Sequence, residues 1–117
     1  MLGKNTKKIT VRFPKRLKAE MLQSLVNSGY GLRGKSKWLA EAAQLFLQQT
    51  NMAELAEHGV DINQPDLTEI EAFYLSLDTL EKIRKASISI RQQSPLFVGV
   101  QSAVIRSAVI YRLMLGK

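Results

Sequence analysis

Seven residues, Lys8-Ile9-Thr10-Val11-Arg12-Phe13-Pro14, constrain this chain more than any other stretch. They alternate strictly, so an extended strand points Ile9, Val11 and Phe13 one way and Lys8, Thr10 and Arg12 the other. Pro14 stops the strand and suits the first turn of a helix. A bare hairpin is not stable in water, so the apolar face must pack on other elements. The opposite face, two cations around a threonine, fits the floor of a DNA major groove, which admits a two-stranded ribbon. The plain alternative is a half-buried strand whose polar face is only hydrated.

Charge layout bears on that choice. The chain of 117 residues has net charge +7. Up to Lys37 the charges are all basic except Glu20. From Glu41 to Glu81 they are all acidic, and from Lys82 onward all basic. Such segregation points to an anionic polymer as partner, with nucleic acid ahead of a membrane surface. Hydrophobic residues make up 45%, which argues for a globular domain. There is no cysteine, so neither thiolate chemistry nor a cysteine metal site is expected, in keeping with a reducing cytoplasm. No signal-peptide core follows Met1. Val98 to Gly116 is apolar but carries Gln101, Arg106 and Arg112, so it reads as a buried helix rather than a membrane span.

Residues 1–7 read as a flexible basic arm. After Pro14, Leu17, Met21, Leu22 and Leu25 recur at helical spacing, and Gly29 suits a left-handed C-cap. Lys15, Arg16 and Lys18 crowd that helix's first turn, where the macrodipole disfavours cations. Ser36 is expected to cap a second helix whose stripe runs Trp38, Leu39, Ala42, Ala43, Phe46 and Leu47. Lys35 and Lys37 flank it, and a helix N-terminus with two lysines suits a phosphate; ordinary capping is the competing reading. Residues 51–68, with Gly59, Asn63 and Pro65, read as an acidic linker. His58 is the one histidine and has no partner cluster, so neither a metal site nor a general base is expected.

The plan then repeats. Phe73, Leu75 and Leu77 fall on one face of a second alternating stretch, and Ala72, Tyr74 and Ser76 on the other. Asp78 with Glu81 forms a capping-box-like start, and Leu80, Ile83, Ser87 and Ile90 line a helix. Pro95 breaks it, and a last helix carries Ala103, Val104, Ala108, Ile110, Tyr111 and Leu115. Phe13 to Leu77 is an offset of 64 positions, and Leu39 to Val104 one of 65.

Strand, proline, helix, glycine-containing turn and second helix resemble the ribbon–helix–helix DNA-binding family, closely over residues 8–47 and more loosely over 72–115. The resemblance implies a mainly α fold with a two-stranded antiparallel ribbon. Repeats at 8–50 and 69–117 would form an intramolecular pseudo-dimer. By the same resemblance Lys8, Thr10 and Arg12 match the base-reading positions, with Ala72, Tyr74 and Ser76 their counterparts. Ser36 with Lys37 matches the phosphate clamp, and Val100 to Ser102, with Gln101 and Ser102 as the contacts, fall near the second; Lys7, Lys15 and Lys35 are further phosphate candidates by their charge. The implied function is sequence-specific binding of double-stranded DNA, without catalysis, cofactor or metal, in transcriptional control. Single-chain tandem members include the TraY-like accessory proteins of conjugative relaxosomes, encoded on plasmids, which sets a second use. An antitoxin-like module engaging a protein through the acidic linker is a third. Self-association on DNA is compatible with each.

One motif points elsewhere. Gly29 to Ser36 satisfies G-x-x-x-x-G-K-[ST], the phosphate-binding P-loop. That mechanism needs a buried strand running into the loop and a parallel sheet behind it, and the residues before Gly29 have a helical pattern. An NTPase is therefore set aside.

Overall fold

The computed structural model describes residues 6–49, 66–93 and 99–116. The expected arm (residues 1–5 of it), most of the expected linker with His58, and Pro95 lie outside the described residues. The chain runs β1 (Thr6–Phe13), α1 (Lys15–Asn27), a 3₁₀ turn (Leu32–Gly34) and α2 (Lys35–Leu47). It continues through β2 (Glu69–Ser76), α3 (Leu77–Gln93) and α4 (Val100–Leu115). It is mainly helical, with one two-stranded antiparallel sheet.

Thr6 and Lys7 already belong to β1, so pairing begins inside the expected arm. Thr10 lies opposite Ala72, with Lys8 opposite Tyr74 and Arg12 opposite Ile70. Alternation then decides the faces. Val11, Phe13, Phe73 and Leu75 are buried against the helices, and Phe13 meets Phe73 edge to face with ring centroids 6.1 Å apart. One core joins both halves of the sequence: Met21 and Leu25 of α1, Trp38, Leu39 and Phe46 of α2, Ile83 and Ile90 of α3, and Val104 and Ala108 of α4. α4 is buried on nearly every side from Ala103 to Val109, as expected of that apolar stretch. Among the described residues no helix is long and apolar enough to cross a membrane.

Two local expectations change. Leu77 does not extend the ribbon's apolar face; it opens α3 and is 56% exposed. The strand ends because the Ser76 hydroxyl accepts a hydrogen bond from the Thr79 amide at 3.1 Å, capping α3. Ser76, not the pair Asp78 and Glu81, is therefore the cap; Glu81 instead takes Arg84 at 2.6 Å. Ser36 likewise is not the N-cap of α2, which starts two residues earlier than such a cap would set it, at Lys35 with Gly34 at the cap. The end of α1 follows the sequence. The Tyr30 amide bonds the Leu25 carbonyl at 3.0 Å and the Gly29 amide bonds that of Val26 at 3.2 Å, around Gly29 at φ 79°.

Charges are buried where the halves meet. Arg112 of α4 donates to the Trp38 carbonyl at 2.8 Å, to Glu41 at 3.2 Å and to the Tyr30 hydroxyl at 3.1 Å. Tyr30 donates in turn to Glu41, and the guanidinium lies 4.7 Å from the Trp38 ring centre. Under the ribbon, Glu71 is buried beside the core and bonds Lys35 at 2.7 Å and Lys18 at 3.0 Å. Burial pushes the Glu71 carboxyl up, but the hydrogen bonds and charges of Lys35 and Lys18 outweigh it and hold it below its ordinary value of 4.5.

Glu71→Ala should destabilise the protein by about 1–3 kcal/mol in chemical denaturation, because two half-buried ammonium groups lose their acceptor. The depressed carboxyl sets the pH dependence. Its contribution should be full above pH 4.5 and lost as pH falls through the lower folded value, and Glu71→Gln should flatten that acid limb.

Candidate nucleic-acid interface

The outward face of the ribbon holds Lys8, Thr10 and Arg12 from β1 and Ile70, Ala72 and Tyr74 from β2. All are exposed except Ala72, which is half-buried. Both acids of β2, Glu69 and Glu71, fall on the other side of the alternation, so this face carries no negative charge. Among the described residues no ion pair engages Lys7, Lys8, Arg12, Lys15 or Lys37. Arg33, Lys85 and Arg91 likewise have no ion pair among the described residues.

The helices brace this face from both edges. A two-stranded ribbon leaves outward N–H and C=O groups on each strand. On β2 the Tyr74 amide donates to the Ser36 hydroxyl of α2 at 2.8 Å. On β1 the Arg12 carbonyl accepts from Arg106 of α4 at 3.1 Å, and burial pushes that guanidinium below its ordinary range. Because Arg12 and Tyr74 turn these groups outward, the cross-strand pairs on the exposed face are the non-hydrogen-bonded ones. Their side chains stand closest together.

Several expected site residues have other work. Lys35 is paired with Glu71 and sits 5.4 Å from the Phe73 ring centre, so its ammonium already has an internal partner. The Ser76 hydroxyl caps α3 and also donates to the Thr79 hydroxyl. Ser36 accepts from Tyr74 yet keeps its own hydroxyl proton for an acceptor outside. Lys37 is exposed in the first turn of α2, Lys15 at the start of α1 and Lys7 at the flank of β1. Gln101 and Ser102 lie in the first turn of α4, after Gly99 at φ 66°. There they border an open cavity of about 340 Å³ with Arg84 and Arg91 of α3.

Sequence reasoning missed Ile70, Arg84 and Arg91. Ile70 precedes the alternating stretch Ala72 to Leu77, and only the strand register brings it opposite Arg12. The two arginines sit on a different helix from the site they border, which no spacing rule reveals.

The P-loop pattern has none of its required context. α1 precedes Gly29, the sheet is antiparallel, and a Cβ on Gly34 would lie 2.9 Å from the Tyr30 Cβ. These glycines shape a helix–helix turn. Among the described residues no group of three or more Asp, Glu or His is placed to hold a metal ion. No protein-family model, curated protein or solved structure matches this chain.

The Tyr74 amide should exchange slowly with solvent although it lies on a sheet edge. Ser36→Ala should release that protection in amide-exchange NMR and lower stability by about 1 kcal/mol.

Proposed function

We propose that this chain binds double-stranded DNA in a sequence-specific, non-enzymatic manner, laying its ribbon in the major groove, and acts as a transcriptional regulator. The observation that carries the reading is the outward ribbon face: exposed Lys8, Thr10 and Arg12, no acid, and no intramolecular ion pair on either cation. An arginine there is shaped to take O6 and N7 of a guanine together. Lys37 and Ser36 at the start of α2 are the phosphate contacts on one flank. Gln101 and Ser102 with Arg91 are those on the other, and Lys7 and Lys15 add charge near the groove edge.

In this reading the molecule is a tandem ribbon–helix–helix protein in which one chain forms both halves of a pseudo-dimer. The strand register supports it. Thr10 faces Ala72, 62 positions on, and the same offset carries Val11 to Phe73, Phe13 to Leu75 and Met21 to Ile83, each of them buried. Offset 65 carries Leu39 to Val104 and Ala43 to Ala108, also buried. Phe13 thus has Leu75, not Leu77, as its counterpart, and the counterparts of Lys8, Thr10 and Arg12 are Ile70, Ala72 and Tyr74. The offset grows because the first helix of the second half is the longer one, α3 having 17 residues where α1 has 13.

Selection of bound sites from random duplex DNA tests the proposal. Arg12→Ala should lower affinity for the best site by about 1–3 kcal/mol, relax preference at one base pair and leave the melting temperature unchanged. Lys37→Ala should weaken all sequences alike. With about four to eight phosphates neutralised, log K against log salt should slope at about −4 to −7. A flat salt response, or specific affinity indifferent to Arg12→Ala, would overturn the assignment.

A further inference from the structure

The ribbon's outward face is not uniformly polar. Beside each cation stands a large apolar side chain from the other strand: Ile70 opposite Arg12 and Tyr74 opposite Lys8, each 57% exposed. The centre is small, Thr10 opposite Ala72. Isolated surface apolar groups are ordinary, but these two recur at matching places on one face, each opposite a cation that has no ion pair among the described residues.

Cross-strand neighbours of the non-hydrogen-bonded kind have Cβ atoms roughly 4.5–5.5 Å apart. Successive bases along a DNA strand are spaced by about 3.4 Å. A cation engaging one base therefore leaves its apolar neighbour over the adjoining base pair. The apolar group that a base pair offers in the major groove is the C5-methyl of thymine, and the degenerate minor groove offers none. The small central pair lets the ribbon seat deeply enough for both contacts.

We infer that each end of the ribbon reads a guanine acceptor edge together with an adjoining thymine methyl. Arg12 and Ile70 do so at one end, and Lys8 and Tyr74 at the other. This rests on the DNA-binding reading and specifies the DNA. The two halves of the site are alike in composition, a guanine beside a thymine, but differ in stringency. Arg12 takes guanine bidentately, whereas the Lys8 ammonium is a single point charge and tolerates more substitution. A single copy then has a non-palindromic site.

The test uses the full chain and its selected site. Each thymine is replaced singly by deoxyuridine, which removes the methyl and keeps the base pairing. One substitution at each end should weaken binding about fourfold, the loss of one buried methyl group, and other positions should be silent. In Ile70→Ala the deoxyuridine effect at the Arg12 end should vanish while that at the Lys8 end persists, and Tyr74→Ala should give the reverse. Both side chains are largely exposed, so the variants should keep the wild-type melting temperature. Selected sites without thymine at the ends overturn the inference, as does a deoxyuridine effect that neither variant changes. So does an Ile70→Ala or Tyr74→Ala variant that loses self-association yet binds DNA normally, because the apolar groups then serve a second copy. In each of these cases Arg12-dependent binding would still stand. Loss of all sequence-specific binding in the wild type would instead remove the DNA-binding reading itself.

Discussion

Everything in this molecule depends on β1 finding β2. A single strand of eight residues has no independent stability, and a two-stranded ribbon has little more, so the pairing must be bought by what packs beneath it. Phe13 and Phe73, from partner strands, interlock edge to face at the centre of that packing. The pairing joins segments far apart in sequence, which is slow to form because loop closure precedes any reward. Once it forms, α2 supports the outer edge of β2 through Ser36, and α4 that of β1 through Arg106. Each edge thus has an outward backbone group satisfied by the molecule's own side chains.

The acidic middle of the sequence acquires a use that the charge pattern alone does not convey. Glu41 answers Arg112, and Glu69 and Glu71 answer Lys18, with Lys35 also on Glu71. These acids neutralise cations inside or beneath the fold, and strand alternation keeps them off the outward face. Lys8 and Arg12 are left without counterions for the same reason that Glu71 is buried: each side chain's direction is set by its parity in a paired strand. One geometric rule thus produces both the internal salt-bridge cluster and the external cationic face.

Glu71 and its lysines tie β2 to both helices of the first half of the sequence. Glu71 occupies a place on the ribbon's inner side that a second copy of β1 would fill with an apolar residue. Its two partners come from α1 and α2. Pairing β1 with β1 would leave Lys18 and Lys35 without their acid, and pairing β2 with β2 would bury two carboxylates without lysines. Breaking such pairs is more costly than forming them is favourable.

The sequence by itself determined the first strand and its two faces, the helices that follow it, the left-handed turn at Gly29 and the burial of the last apolar stretch. All of these are local: periodicity, proline and glycine act within a few residues. It also exposed Lys8, Thr10 and Arg12, because alternation alone assigns their face. Tertiary structure decided the rest. The end of β2 at Ser76 rather than Leu77 has no proline to announce it and depends on a hydroxyl–amide bond across the junction. Lys35 is held in an ion pair because a glutamate 36 positions away lies under the ribbon. Ile70 joined the outward face because the register set it opposite Arg12. Each is a pairing between distant residues, and the energy that selects it exists only when both are brought together.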